Sequence, residues 1–242
     1  MATTDLPAFL IEDEIKVLEA LVPLAGQRSI ELGCGNARLA RTVLERFADS
    51  QWVGLEVDAR QHAKNLAAPQ DRLQFVAAGA QEIPFDTASF DLAVMLKSLH
   101  HVPLPLMAQA LKEIARVVRP GGHLYVSEPV YAGALNTIIR HFNDEGVVRA
   151  AAQQALDQSL LGGDWTQVAE RHFDVPVKFR DFDDFEQRMM RPTYADHQLD
   201  EQKIATVRAA FEPHCSAAGA RFTRPMHVRL LQRSSMAQIS GQ

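Results

Sequence analysis

Cysteine is nearly missing from this chain: among 242 residues there are two, Cys34 and Cys215. A disulfide framework is thereby excluded. Cys34 sits between two glycines, a poor place for a staple, and that fits a reducing compartment. Basic charge is also scarce. Lys and Arg number 25 against 30 Asp and Glu, a formal charge of −5, so no wide basic field is available to hold a nucleic-acid backbone. No window approaches the roughly 20 uncharged apolar residues of a membrane span. The opening MATTDLPAFLIEDEIKVLEAL carries Asp5, Glu12, Asp13, Glu14 and Glu19 and lacks the basic start and apolar run of a secretion signal. There is no C-x-x-C, and His100 and His101 are neighbours rather than an i, i+4 pair, so no metal site is expected. Together these absences predict a soluble, cytoplasmic protein with a small-molecule substrate and neither a nucleic-acid nor a membrane partner.

What the chain has in quantity is apolar residue, 47% by count, enough for one large core plus a modest lid. Its spacing is informative. Ile11, Ile15, Leu18, Leu21 and Val22 predict an amphipathic helix within the first 24 residues, closed by Pro23. From there strand-like and helix-like segments alternate: RSIEL, a helix over 37–47, WVGLEV, a helical ARQHAKNLAA, LQFVAA, FDLAVML, a helical PLMAQALKEIARVV stopped by Pro120-Gly121-Gly122, and HLYVSEPV. Five strands with helices among them predict a doubly wound, mostly parallel α/β sheet. Past Tyr131 the pattern becomes helical, through Leu135, Ile138, Ile139 and Phe142, then VVRAAAQQALDQSLL up to Gly162. FDVPVKF reads as a possible strand, DDFEQRMM as a short helix, and Ile204, Val207, Phe211 and Cys215 as the stripe of another helix; MHVRLLQR is the last strand. The expected division is a core over 1–131, a helical insertion or substrate lid over 132–222, a closing strand over 223–233 and a disordered tail over 234–242.

The stretch SIELGCGNAR, residues 29–38, raises the functional question. Two glycines after a strand permit positive φ and close approach of a ligand to the backbone. In a nicotinamide-binding turn a third glycine would stand where Arg38 stands, which weakens the pyrophosphate reading. Glu56 lies 23 residues after Gly33 at the end of WVGLEV, where a carboxylate can accept both hydroxyls of a ribose. Asp58 is placed to cap the helix that follows.

Taken together, IELGCGNARLA, WVGLEVD, LQFVAAGAQEIPFDTASFDLAVMLKSLHHV and LKEIARVVRPGGHLYVSEP resemble the motifs of class I S-adenosylmethionine-dependent methyltransferases, in the type-11 small-molecule branch. The resemblance covers residues 29–129 and implies a seven-stranded Rossmann-like sheet that binds S-adenosyl-L-methionine and releases S-adenosyl-L-homocysteine. It assigns Glu31, Gly33, Cys34 and Gly35 to the methionine end of the cofactor, Glu56 and Val57 to the ribose, Ala80 and Gln81 to the adenine, and the Lys97 carbonyl to the cofactor ammonium. Gly79 departs from the family, where many members carry an aspartate that accepts from the adenine amino group. The Gln81 amide is the replacement at hand.

Methyl transfer is an in-line displacement on a group already activated by positive sulfur, so positioning can supply much of the acceleration. His101, in KSLHHVP after the fourth strand, is the candidate general base, since imidazole titrates near neutral pH. Tyr131, Arg140, His141, Tyr194 and His197 are candidates for substrate selection. Two other readings remain: a nicotinamide-dependent oxidoreductase, and a non-catalytic protein that binds S-adenosylmethionine.

Overall fold

The computed structural model describes residues 10–192 and 195–235. In chain order the elements are α1 (Ile15–Leu21), β1 (Arg28–Leu32), α2 (Arg38–Arg46), β2 (Gln51–Leu55), α3 (Ala59–Leu66), β3 (Leu73–Val76), β4 (Phe90–Leu96), α4 (Met107–Val117), β5 (Val118–Pro129), α5 (Ala134–Ile139), α6 (Gly146–Leu161), β6 (Trp165–Phe179), α7 (Phe182–Phe185), α8 (Glu201–Phe211), β7 (Cys215–Ser216) and β8 (Gly219–Arg233). Among the described residues the strand order is β3-β2-β1-β4-β5-β8-β6, the seven strands expected, with the two-residue β7 paired to β8 beside them. Neighbours among β1 to β5 are all parallel.

The chain forms two compact units: one of residues 15–128, 150–171 and 228 onward, the other of residues up to 14, 129–149 and 172–227. In the first, the apolar run FDLAVML becomes the central strand β4, with Phe90, Leu92, Ala93, Val94 and Met95 all buried, as a strand covered on both faces requires. Ala40, Val43 and Leu44 form the buried stripe of α2, and Ala110, Ile114 and Val117 that of α4. Helix α6 belongs to this unit as well. The buried Arg229 donates to Gln167 Oε1 at 2.7 Å and pairs with Asp157 Oδ1 at 2.8 Å, joining β8, β6 and α6.

The second unit has a core rich in phenylalanine: Phe142, Phe179, Phe182, Phe185, Phe211 and Phe222, with Leu135 and Ile138. Phe179 and Phe185 meet edge to face with ring centroids 5.1 Å apart, a favoured aromatic geometry.

Several expectations are corrected. The first helix starts only at Ile15; Ile11 lies ahead of it, and its N–H donates to Asp174 O at 2.8 Å. Acidic Asp13 and Glu14 precede that start, where the positive end of the helix dipole favours them. Arg119-Pro120-Gly121-Gly122 falls inside β5 rather than ahead of it, because Val118 already pairs with Phe90 before the register shifts. The stripe expected to reach Cys215 stops at Phe211, since Pro213 diverts the chain into a 3-10 turn and Cys215 opens β7. Tyr194 and residues 236–242 of the expected tail lie outside the described residues.

Arg72 shows how the core unit closes its edge. It donates to Leu44 O at 2.8 Å, Phe47 O at 2.9 Å and Ser50 O at 3.0 Å, satisfying carbonyls at and beyond the C-terminus of α2. Arg72→Met should lower the unfolding free energy by about 1–2 kcal/mol, read as a lower urea midpoint with unchanged slope. An unchanged midpoint would mean that water replaces the guanidinium at no cost.

Candidate functional site

The glycine turn is built on one carbonyl. Gly33 N and Cys34 N both donate to Leu55 O, at 3.0 and 2.9 Å, fastening the end of β1 to the end of β2. Gly33 has φ +74, and a Cβ there would stand 2.8 Å from Ser98 Cβ; only glycine lets the turn press against the residue that follows Lys97. Ser98 in turn donates to Leu32 O at 2.6 Å. Cys34 is 6% exposed. Burial, with Glu31 and Glu56 nearby, raises its thiol well above the ordinary range, so it stays protonated and packs beneath the turn.

Two carboxylates flank this turn. Glu56 accepts from Gly35 N at 2.9 Å through Oε2 and from Asp58 N at 2.9 Å through Oε1. Each oxygen keeps a further lone pair for a hydroxyl donor. Glu31, on β1 opposite Gly54 and Val94, is 3% exposed, and its Oε2 has no hydrogen-bond partner. Burial pushes its carboxyl up to about 8, against the opposing pull of the Trp52 indole and the Lys97 charge. Asp58 caps α3 as expected, accepting from Arg60 N at 3.0 Å. Val57 is 73% exposed beside it.

The loop after β3 is held from α4. Arg116 donates to Phe85 O at 2.7 Å and Ile83 O at 2.9 Å, Glu113 accepts from Ile83 N at 3.2 Å, and Gln109 donates to Gln81 O at 2.9 Å. Ala80 is buried. A Cβ added at Gly79 would overlap the Gln81 carboxamide, so that amide fills the space a side chain at position 79 would take.

Lys97 closes β4 in the left-handed region, φ +57, a conformation that costs energy for a residue with a side chain. Its N–H donates to Ser127 O at 2.8 Å. The chain then turns through a 3-10 helix, Leu99–His101, and here the sequence had concealed something. His100 Nδ1 hydrogen-bonds to Glu128 Oε2, while Glu128 Oε1 accepts from Leu99 N at 2.9 Å; both residues are buried. Exposed His101 packs its ring against that of His100, centroids 4.1 Å apart. The tight turn thus brings the rings of two sequence neighbours into contact. The missed signal was the glutamate in HLYVSEPV: Leu96 pairs with Ser127, so the next residue of each strand emerges at the same end.

In the second unit Tyr131 donates to Asp144 Oδ1 at 2.7 Å, and that bond raises the phenol while lowering the carboxyl. His197 meets the ring of Phe142 edge to face at 5.3 Å, and burial lowers its imidazole. Arg140 and His141 are exposed just past α5. Elsewhere in the core unit, a cleft of about 330 Å³ lined by Arg28, Gln51, Trp52, Arg72 and Leu73 opens where β1, β2 and β3 begin, at the opposite ends from the glycine turn.

Residues 30–126 match the family profile described as a methyltransferase domain. This stretch is a class I methyltransferase domain. The chain is 34% identical to the 27-O-demethylrifamycin SV methyltransferase of Amycolatopsis mediterranei over 117 residues, 46% of this chain and 42% of that one; it spans about half the length of the curated relatives it matches. A solved methyltransferase candidate from Bacillus halodurans superposes with TM-score 0.64 at 14% identity, over 92% of this chain and 99% of that one. The [4+2]-cyclase SpnF superposes with TM-score 0.60 at 19% identity, over 94% and 87%.

The two backbone N–H groups that Glu56 accepts make it a structural residue of the methyltransferase domain. Glu56→Gln leaves an amide NH₂ facing a backbone N–H. It should lower the unfolding free energy of the ligand-free protein by about 1.5–3 kcal/mol, whereas Asp58→Asn, which still caps the helix, should cost less. Urea denaturation of both variants giving the reverse order would contradict the assignment.

Proposed function

We propose that the chain is an S-adenosylmethionine-dependent methyltransferase acting on a small molecule. The observation that carries this reading is the pair of buried carboxylates, Glu31 and Glu56, on either side of a turn that tolerates no side chain at Gly33. A nicotinamide cofactor would need room for its pyrophosphate, and Arg38 begins α2 where a third glycine would be required. The relative named for a rifamycin intermediate supports a small acceptor.

When bound, the cofactor supplies an electrophilic methyl on a positively charged sulfur. Glu56 would hold the ribose hydroxyls, Ala80 and Gln81 the adenine, and Glu31 and the Lys97 carbonyl the ammonium. For an oxygen or nitrogen acceptor a proton must leave, and His101 takes it. Beneath it, Glu128 fixes the Nδ1 side of His100, and a carboxylate on one ring nitrogen orients an imidazole and settles its tautomer. That packing steadies the His101 ring. Tyr131, Arg140, His141 and His197 stay candidates for acceptor choice by their polar and aromatic groups, as does Tyr194, outside the described residues. A second reading has one specific support: a [4+2]-cyclase shares the fold, so the same scaffold also serves a protein named for a different reaction.

S-Adenosylhomocysteine should raise the melting temperature in a concentration-dependent way, and NADH should not. Stabilisation by NADH alone would overturn the reading. Once a screen of metabolites for S-adenosylhomocysteine release identifies an acceptor, His101→Ala should lower turnover by about 10²–10⁴ and remove the acid limb of the pH profile. A change confined to KM would make His101 a binding wall.

A further inference from the structure

Glu31 is placed unlike Glu56. Glu56 has a backbone N–H on each oxygen, while Glu31 is held inside the sheet with Oε2 unpartnered. The groups that face it are the Trp52 indole from β2, the backbone at Ala40 and the Arg38 charge from α2, and the Lys97 charge at the end of β4; the Cys34 thiol in the turn senses both Glu31 and Glu56. An ionised carboxylate that is buried with one oxygen left unpartnered is costly, and keeping the group neutral reduces that cost.

We infer that Glu31 holds a proton in the free protein and releases it when the ammonium of an amino-acid-like ligand arrives, so that the site selects its ligand by exchanging a proton for an organic cation. The inference rests on the cofactor reading above and adds to it the means of discrimination. The exchange balances. The carboxylic acid gives its proton to solvent, the ligand keeps all of its ammonium protons, and the new carboxylate–ammonium pair replaces the neutral acid. Lys97 and Arg38 do not displace the proton themselves: burial outweighs both and leaves the carboxyl at about 8. A ligand cation delivered directly to Oε2 adds what those more distant charges do not, a donor and an opposite charge at hydrogen-bond range.

The same proton makes a statement about stability. The folded-state carboxyl titrates at about 8 and the ordinary value is 4.5. The folded chain therefore binds the extra proton between those values, and Glu31's contribution, complete below the lower one, is lost as pH rises through the window.

Two measurements test the exchange. In the first, S-adenosylhomocysteine is titrated into the full chain at pH 6.5 in buffers of differing ionisation enthalpy. Wild type should release about one proton per ligand bound, Glu31→Gln should release none, and a deaminated S-adenosylhomocysteine analogue should release none from wild type. Binding without buffer dependence, or equal release from Glu31→Gln, overturns the inference and leaves the cofactor reading standing. No binding of any analogue overturns the cofactor reading and the exchange with it. In the second, the melting temperature of Glu31→Gln relative to wild type, without ligand, should rise between pH 5 and pH 8; a flat difference means that Glu31 is already ionised. Should Glu31→Gln fail to fold, the deaminated analogue on wild type decides alone.

Discussion

The site depends on where the end of β2 sends its acceptors. Leu55 O takes the amides of Gly33 and Cys34, and Glu56 takes that of Gly35, so three successive N–H groups of the turn are tied to two successive residues of the neighbouring strand. Parallel strands offer each other hydrogen bonds only while both remain extended, and here the pairing is carried around the corner after β1 has ended. The turn is thereby held open rather than collapsed onto the sheet. A side chain at Gly33 would meet Ser98, and one at Gly54 would stand 2.8 Å from Cys34 Sγ, so the glycines on both strands serve this one fastening.

The three amides therefore already have acceptors, and the turn is flanked by two carboxylates, Glu31 and Glu56. Glu56 has a backbone N–H on each oxygen, whereas Glu31, more deeply buried, keeps Oε2 without a partner. The strand ends of β4 and β5 add the third element, a buried imidazole–carboxylate pair under an exposed imidazole.

What was legible in the sequence is what is local in the chain. The β1 turn and α2 lie within one continuous stretch, and Glu56 ends an apolar strand; composition and spacing suffice for both. His100 and Glu128 were not legible as a pair, because their meeting requires knowing that β4 and β5 are neighbours in register. Ile11 read as helical because its apolar spacing was right, but Asp13 and Glu14 stand where a helix begins. Cys215 read as helical for the same reason, with Pro213 unheeded. The aromatic core of the second unit was also hidden: Phe179 is on a strand, Phe182 and Phe185 on a short helix and Phe211 at the end of another, so no single periodicity gathers them.

The central claim is that the cofactor lies where β1, β2 and β4 end. Amide hydrogen exchange, followed by mass spectrometry with and without S-adenosylhomocysteine, tests this most directly. The account predicts slowed exchange at residues 33–36, 56–58, 79–82 and 97–99, with residues 28, 51 and 73 at the opposite ends of the strands unchanged. Protection confined to that opposite edge, around the cleft lined by Arg28, Gln51 and Leu73, would contradict it.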